Sequence, residues 1–189
     1  MSNYYKKLVG ERVYLSPVNP EDMVKFLTWL NDMQVTDYVG RTQYVQNYVN
    51  EKSWIERELA KGEYFFEIVT VEGDEAIGNI SLKDVDLINR RATLGILIGE
   101  SDSRNKGYGT EAIRLLLDYA FNYLNLNNVM LVYLECNERA KRCYEKVGFK
   151  EIGRRRMSKF LNGRYYDDVY MDILATEFKE SYIKNKNVK

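Results

Sequence analysis

The sequence predicts a mixed α/β protein built on a single sheet, antiparallel at its front and closed by a parallel β-α-β unit. Three observations carry this reading. YFFEIVTV (64–71), AIGNISLKDVDL (76–87) and ATLGILIG (92–99) are β-rich runs joined only by turns at EGDE and INR, the pattern of consecutive antiparallel strands. GTEAIRLLLDYAFNYL carries Ala112, Ile113, Leu116, Leu117, Ala120 and Leu124 at helical spacing and precedes the apolar run VMLVYLEC (129–136). The strands flanking that helix should therefore run parallel, with a right-handed crossover. Finally, FKEIGRRRMSKFL and RYYDDVYMDIL flank Asn162-Gly163, a strong hairpin signal.

The remaining elements follow in order. ERVYLSP (11–17) alternates with strand period. Asn19 caps a helix with Pro20 at its first position and the acids Glu21 and Asp22 in its first turn. Phe26, Leu27, Leu30 and Met33 should form the buried face of that helix. A second helix is expected over about 50–61, ending at Gly62. NERAKRCYEKVG after the second parallel strand reads as a short helix closed by Gly148.

The 189 residues suit one domain over 1–189, with a core at about 8–174 and a C-terminal helix or fraying tail over 175–189. Lys plus Arg is 28 and Asp plus Glu is 28, so no charge imbalance favours nucleic acid or a membrane surface. The start lacks a signal-peptide core, no run approaches a membrane span, and two cysteines make a poor disulfide framework. A cytoplasmic location with both thiols reduced is expected. The chain has no histidine, which excludes Ser-His-Asp and Cys-His machinery and every His-ligated metal site. No metal is expected.

The stretch SRNKGYGTEA (103–112) places two glycines just ahead of the long helix. A helix beginning at Gly107 or Tyr108 leaves its first amides unpaired and the positive end of its dipole exposed, a phosphate site in waiting. Gly107 and Gly109 remove side chains that would hold a diphosphate away, and Arg104 and Lys106 add charge at the rim. The plainer reading is a glycine-eased helix start with solvated cations. A rival is the dinucleotide fingerprint G-x-G-x-x-A over Gly107–Ala112, with Glu135 on the next strand as ribose ligand. Against it, ESDSRN separates the glycines from their strand, Glu135 lies too far along, and the preceding strands are antiparallel. After the next strand, Asn137 stands at a strand end and Tyr144 two helical turns on, so both can face one cleft. A tyrosine there can donate a proton to a leaving group; packing is its alternative role.

R-x-x-G-x-G (104–109) followed by N-x-x-A-x-x-x-Y-x-x-x-G-F (137–149) resembles the GNAT superfamily of acetyl-CoA-dependent N-acetyltransferases. The resemblance runs from about residue 8 to 174. The ending FLNGRYYDDVYM (160–171) is similar to the branch holding ribosomal-protein N-terminal and small-amine acetyltransferases. It implies a GNAT-like fold with splayed parallel strands at about 92–99 and 129–136, the strand bearing Leu97, Ile98 and Gly99 holding pantothenate with its backbone. It implies that the amides of Arg104, Asn105, Lys106, Gly107, Tyr108, Gly109 and Thr110 hold the pyrophosphate of acetyl-CoA, that Asn137 contacts the pantetheine arm, and that Tyr144 protonates the departing thiolate. The reaction implied is acetyl transfer to a primary amine of a small molecule or a peptide N-terminus, by direct attack in a ternary complex. Relatives of this kind commonly form dimers. A non-catalytic CoA-binding module of the same fold is the alternative, and a dinucleotide-binding oxidoreductase a further one.

No general base transfers by this resemblance. Where many relatives carry a glutamate, this chain has Thr93 and Val132. Glu67, Asp84, Asp86 and Glu100 are the carboxylates near the sheet, each read more readily as a solvated strand residue, which leaves a water relay. Trp29, Tyr38, Tyr64 and Phe66 are candidates for the acceptor pocket or the core. Arg154, Arg155 and Arg156 read as the charged guard of an exposed edge, and Cys143 as packing.

Overall fold

The structure, a computed structural model, describes residues 3–40, 42–60, 64–179 and 181–184. Its strands are β1 (Leu8–Val9), β2 (Val13–Pro17), β3 (Tyr64–Thr70), β4 (Ala76–Asp86), β5 (Arg91–Ile98), β6 (Asn128–Leu134), β7 (Lys150–Leu161) and β8 (Arg164–Leu174). Its helices are α1 (Met23–Asn31), α2 (Met33–Thr36), α3 (Tyr48–Ala60), α4 (Tyr108–Asn122) and α5 (Glu138–Val147). The strands form one sheet in the order β1-β2-β3-β4-β5-β6-β8-β7. Only β5–β6 is parallel; every other neighbouring pair is antiparallel. Such a sheet is not the doubly wound parallel sheet that a dinucleotide fingerprint serves.

The parallel pair fixes where the site lies. β5 and β6 are in register only over Arg91–Thr93 with Asn128–Met130. Beyond this each strand stays with its other neighbour. β5 pairs with β4 as far as Ile98↔Gly78, and β6 pairs with β8 as far as Leu134↔Asp168. Both outer edges are satisfied by those ladders, so right-handed twist carries the two strands apart and the sheet opens into a V. α4 crosses over one face and buries Ala112, Ile113, Leu116, Leu117 and Ala120 against β2 through β6, the face its spacing predicts.

The first helical region differs from expectation. Asn19 does cap it, accepting from the Glu21 N–H at 3.1 Å, but the first turn is 3-10 and α1 stops at Asn31. Asp32 is extended, and its carboxylate accepts from the Gln34 N–H at 2.8 Å, which starts α2 as a separate helix. The buried face is therefore Met23, Phe26 and Trp29 rather than Phe26, Leu27, Leu30 and Met33. Leu27 and Leu30 are half-buried and Met33 is exposed. Trp29 packs on the end of β5 because residue 99 is glycine: a Cβ there would lie 2.0 Å from the indole Cδ2. The indole N–H donates to Glu100 at 2.9 Å. α3 ends at Ala60 among the described residues, and the expected stop at Gly62 lies outside them.

The expected tail is docked as far as it is described. Asp118, buried on α4, accepts the backbone N–H groups of Tyr182 and Ile183 at 2.6 and 3.0 Å. Ile183 is buried, Phe178 packs on Phe121, and the Lys184 N–H donates to the Val9 carbonyl at 2.7 Å. The segment forms neither a helix nor a fraying end over 175–179 and 181–184; residues 185–189 lie outside the described residues.

Glu67 on β3 corrects another expectation. It is fully buried, and neither carboxylate oxygen has a hydrogen-bond partner among the described residues. Burial pushes its carboxyl up to about 8, Asp22 adds to this, and the nearby Asn19 backbone N–H and then the Lys25 charge oppose it. Below pH 4.5 the group is protonated in both the folded and the unfolded chain. As pH rises toward about 8 the unfolded chain releases the proton while the folded chain keeps it, so stability falls by at most about 1.4 kcal/mol per pH unit. Glu67→Gln should abolish this decline, melting like the wild type near pH 4.5 and about 5 °C or more higher at pH 8.5. Superimposable melting curves at both pH values would refute the account.

Candidate functional site

The V between β5 and β6 opens into a cavity of about 500 Å³. β5 contributes Ile96, Leu97 and Ile98; the segment Ser103–Thr110 forms one wall; and α5 contributes Asn137, Ala140, Cys143 and Tyr144. Val35, Tyr38 and Val39, between α1 and α3, close the mouth. Eleven of the twelve sequence-derived site residues thus meet on one surface: Leu97, Ile98, Arg104, Asn105, Lys106, Gly107, Tyr108, Gly109, Thr110, Asn137 and Tyr144. Gly99 is not among them; its bare Cα accommodates Trp29.

The backbone along the open edge of β5 is free to bind. Gly99 donates its N–H to the Ile77 carbonyl on β4 at 2.9 Å. In an antiparallel ladder alternate residues face opposite edges. The N–H and C=O groups of Ile98 and Ile96 therefore point away from β4, toward the gap that β6 has left. The Ile98 carbonyl is partly used, accepting from Arg104 Nε at 3.3 Å.

At the start of α4, Asn105 (φ 60) and Gly107 (φ 85) are both left-handed, and no side chain caps the helix. Its first N–H groups and dipole end are presented to the cavity wall that the loop forms. A Cβ at Gly109 would rest 3.6 Å from Ile98 and 3.7 Å from Ile96, so the fold itself has room for a methyl group there. Arg104 is held inward, donating from Nη2 to the Gly99 carbonyl at 2.7 Å.

Asn137 caps α5, accepting the Ala140 N–H at 3.0 Å, and donates to the Tyr38 carbonyl at 3.2 Å. It thereby ties the segment at the mouth to the end of β6. Tyr144 packs between Tyr133 and Phe149 with ring centroids 5.8 and 6.0 Å away. Tyr144 lines the cavity, and its hydroxyl makes no hydrogen bond among the described residues. Burial pushes the phenol well above its usual value; Cys143 and Tyr133 add to this and Arg139 opposes it. At neutral pH the phenol is protonated. Cys143, read from sequence as packing, also reaches the cavity, its sulfur 3.2 Å from the Thr110 hydroxyl, and burial pushes its thiol up.

The cavity's charge is one-sided. Arg12, Arg104, Lys106, Arg139, Arg142 and Lys146 line it, and among the described residues no carboxylate does. Of the cations only Arg104 and Lys106 stood out in the sequence. Arg139, Arg142 and Lys146 recur at helical spacing on α5, a signal that could have found them; Arg12 had none. Arg139 stacks over the Tyr38 ring at 5.4 Å, and burial, with the neighbouring charge of Arg104, holds its guanidinium below the usual range.

The carboxylates singled out by sequence lie elsewhere. Glu67 is enclosed, Glu100 accepts from Trp29, Asp84 is exposed at a bulge in β4, and Asp86 accepts the N–H groups of Ile88 and Asn89. Of the four aromatic candidates, Tyr38 reaches the cavity, Trp29 and Phe66 are core, and Tyr64 packs on Tyr119. Arg154 on the edge strand β7 is paired with Glu151 at 2.7 Å, and Arg155 and Arg156 are exposed. Among the described residues no group of three potential metal ligands occurs, and no helix is long and apolar enough to cross a membrane.

Comparison with known proteins converges on one family. The sequence profile of the acetyltransferase (GNAT) domain matches residues 12–150. A Bacillus subtilis protein provisionally named as a ribosomal N-acetyltransferase is 37% identical over 102 residues, 54% of this chain and 55% of that protein. The spermidine N(1)-acetyltransferase of Escherichia coli K12 is 32% identical over 111 residues, 59% of each chain. The chain thus spans little more than half the length of either relative. The crystal structure of Vibrio cholerae spermidine N-acetyltransferase with CoA and spermine superposes with a TM-score of 0.77 at 25% identity, over 88% of this chain and 98% of that one. With the profile covering most of its length and the split sheet matching in three dimensions, the chain belongs to the GNAT family of N-acetyltransferases.

Proposed function

We propose that this protein transfers an acetyl group from acetyl-CoA to a primary amine of a small molecule or a peptide N-terminus, by direct attack in a ternary complex. The observation that carries the reading is the single cavity that joins bare helix-start amides, an unpaired strand edge and a buried phenol. The chemistry of that surface fits CoA: six cations and unpaired N–H groups suit phosphates, and the open edge of β5 suits a chain of amides. The relatives named as spermidine and ribosomal acetyltransferases, and the Vibrio structure holding CoA and spermine, agree with this choice of donor and of acceptor class.

Acetyl-CoA, when bound, supplies the acyl group as a thioester. The N–H groups of residues 105–110 hold the pyrophosphate, that of Arg104 being committed instead to the Ser101 carbonyl at 3.1 Å, and the Arg104 and Lys106 charges neutralise it. Leu97 and Ile98 line the pantetheine channel, and the Ile98 N–H, aimed at the gap, stabilises the charge that develops on the thioester oxygen. Asn137 positions the wall opposite. As the new C–N bond forms and the C–S bond breaks, Tyr144 gives its proton to the departing sulfur. The acceptor's ammonium proton leaves to water before attack, because among the described residues no carboxylate lines the cavity, and the second nitrogen proton, shed as the amide forms, restores Tyr144 through solvent. That same absence favours a second reading, a CoA-binding module without turnover.

A thiol-release assay over polyamines, amino sugars, aminoglycosides and N-terminal peptides tests the proposal. CoA binding with no turnover on any of them would select the second reading. Tyr144→Phe should lower kcat by roughly 10²–10⁴-fold with CoA affinity unchanged; undiminished kcat would remove Tyr144 as the acid. Gly109→Ala should melt like the wild type yet bind CoA at least about tenfold more weakly, since the methyl group narrows the cavity between the loop amides and the Ile96 and Ile98 side chains. Normal affinity would relocate the pyrophosphate. With solvent as base, kcat/KM should keep rising with pH toward the acceptor's own pKa of about 10.4 for an aliphatic amine. A plateau beginning near pH 7 would instead reveal a protein base.

A further inference from the structure

Arg12 stands in the turn between β1 and β2, far in sequence from the glycine loop, yet it lines the same cavity. Glu111, one turn into α4, draws it there. Glu111 Oε1 accepts the backbone N–H groups of Glu11 and Arg12 at 2.7 and 2.8 Å, and Oε2 accepts from Arg12 Nε at 3.1 Å. The approach is close enough that a Cβ on Gly10 would lie 2.6 Å from that carboxylate. Fastened in this way, the guanidinium spans the Tyr108 ring at 5.3 Å and donates from Nη1 to the Lys106 carbonyl at 2.8 Å.

That last bond sets the direction of a peptide plane. No peptide bond in the described chain is cis, and in a trans peptide the C=O and the following N–H point opposite ways. With the Lys106 carbonyl turned to Arg12, the Gly107 N–H turns away from that guanidinium. Nothing intrinsic holds it so. Gly107 has no Cβ and tolerates either sign of φ, so the Lys106–Gly107 peptide is free to rotate and aim its carbonyl oxygen where its N–H now points. An oxygen there would repel an anion.

We propose that Arg12 is a positioning residue for the donor's phosphates: by holding the Lys106 carbonyl to itself it keeps that oxygen from the pyrophosphate and leaves the Gly107 N–H to meet it. This rests on the reading of the cavity as a CoA site. Calorimetric titration with CoA, at several salt concentrations, tests it on the wild type, Arg12→Ala and Arg12→Lys. Arg12→Ala should bind CoA about 10- to 100-fold more weakly, the loss expected for a bond from a charged donor and the orientation it sets. The loss should be the same at low and high salt, because the residue acts through a peptide rather than as a counter-charge. Arg12→Lys keeps the charge and the aliphatic stem but not the two-way fork, so it should lose at least about fivefold, and it serves if the alanine variant does not fold. Wild-type affinity in either folded variant would overturn the inference. So would a loss that fades as salt rises, with the salt slope lower by about one, since that marks a direct cation–phosphate contact. A wild-type chain that binds no CoA removes the donor reading and this inference with it; a wild-type chain that binds CoA beside unaffected variants removes this inference alone.

Discussion

Everything in the site descends from a competition between hydrogen-bond ladders. β5 is committed to β4 and β6 to β8, and the two share only a three-residue seam. A sheet whose central strands part would ordinarily strand polar backbone in the interior, at a cost of about 1–3 kcal/mol for each unpaired group. Here the exposed edge faces a cavity open to solvent, so its N–H and C=O groups are hydrated until a ligand replaces the water. The edge is thus competent for recognition before any ligand arrives.

The electrostatics of the cavity follow the same economy. Cations come from three separate parts of the chain: the β1–β2 turn, the glycine loop and α5. They surround the open end of α4, whose own dipole has the same sign. Mutual repulsion among them is relieved by an anion, so the charge pattern favours binding over the empty state. Tyr144 lies among rings on its far side. In the function proposed above, anion binding and proton transfer would fall to separate parts of the cavity, the cations and the phenol.

Most of the architecture was legible because its signals are local. Period-2 runs, the helical stripe of α4, the Asn162-Gly163 turn and the Gly148 stop of α5 are each written within a dozen residues. The missed features depend on partners distant in the chain. Asp32 ends α1 where the apolar periodicity continues, because a capping carboxylate outcompetes one more helical turn. Glu67 lies in a strand where alternation allows either face, and only the packing of the first helical region decides that it is enclosed. The segment over 182–184 has no periodicity, and its docking awaits Asp118 on another element. Tyr144 and Asn137 were found by motif, whereas Arg12 reaches the cavity only through Glu111, a contact no spacing could foretell.

The contact between Gly99 and Trp29 carries a consequence for how this chain can vary. The indole occupies the space that any side chain at 99 would need. A lineage cannot gain a methyl group at one position while keeping the large ring at the other. Descent with change must therefore move the two together, or pass first through a smaller residue at 29 that leaves the Glu100 carboxylate without its donor. The pair should behave in inheritance as one character, although seventy residues of chain separate its halves.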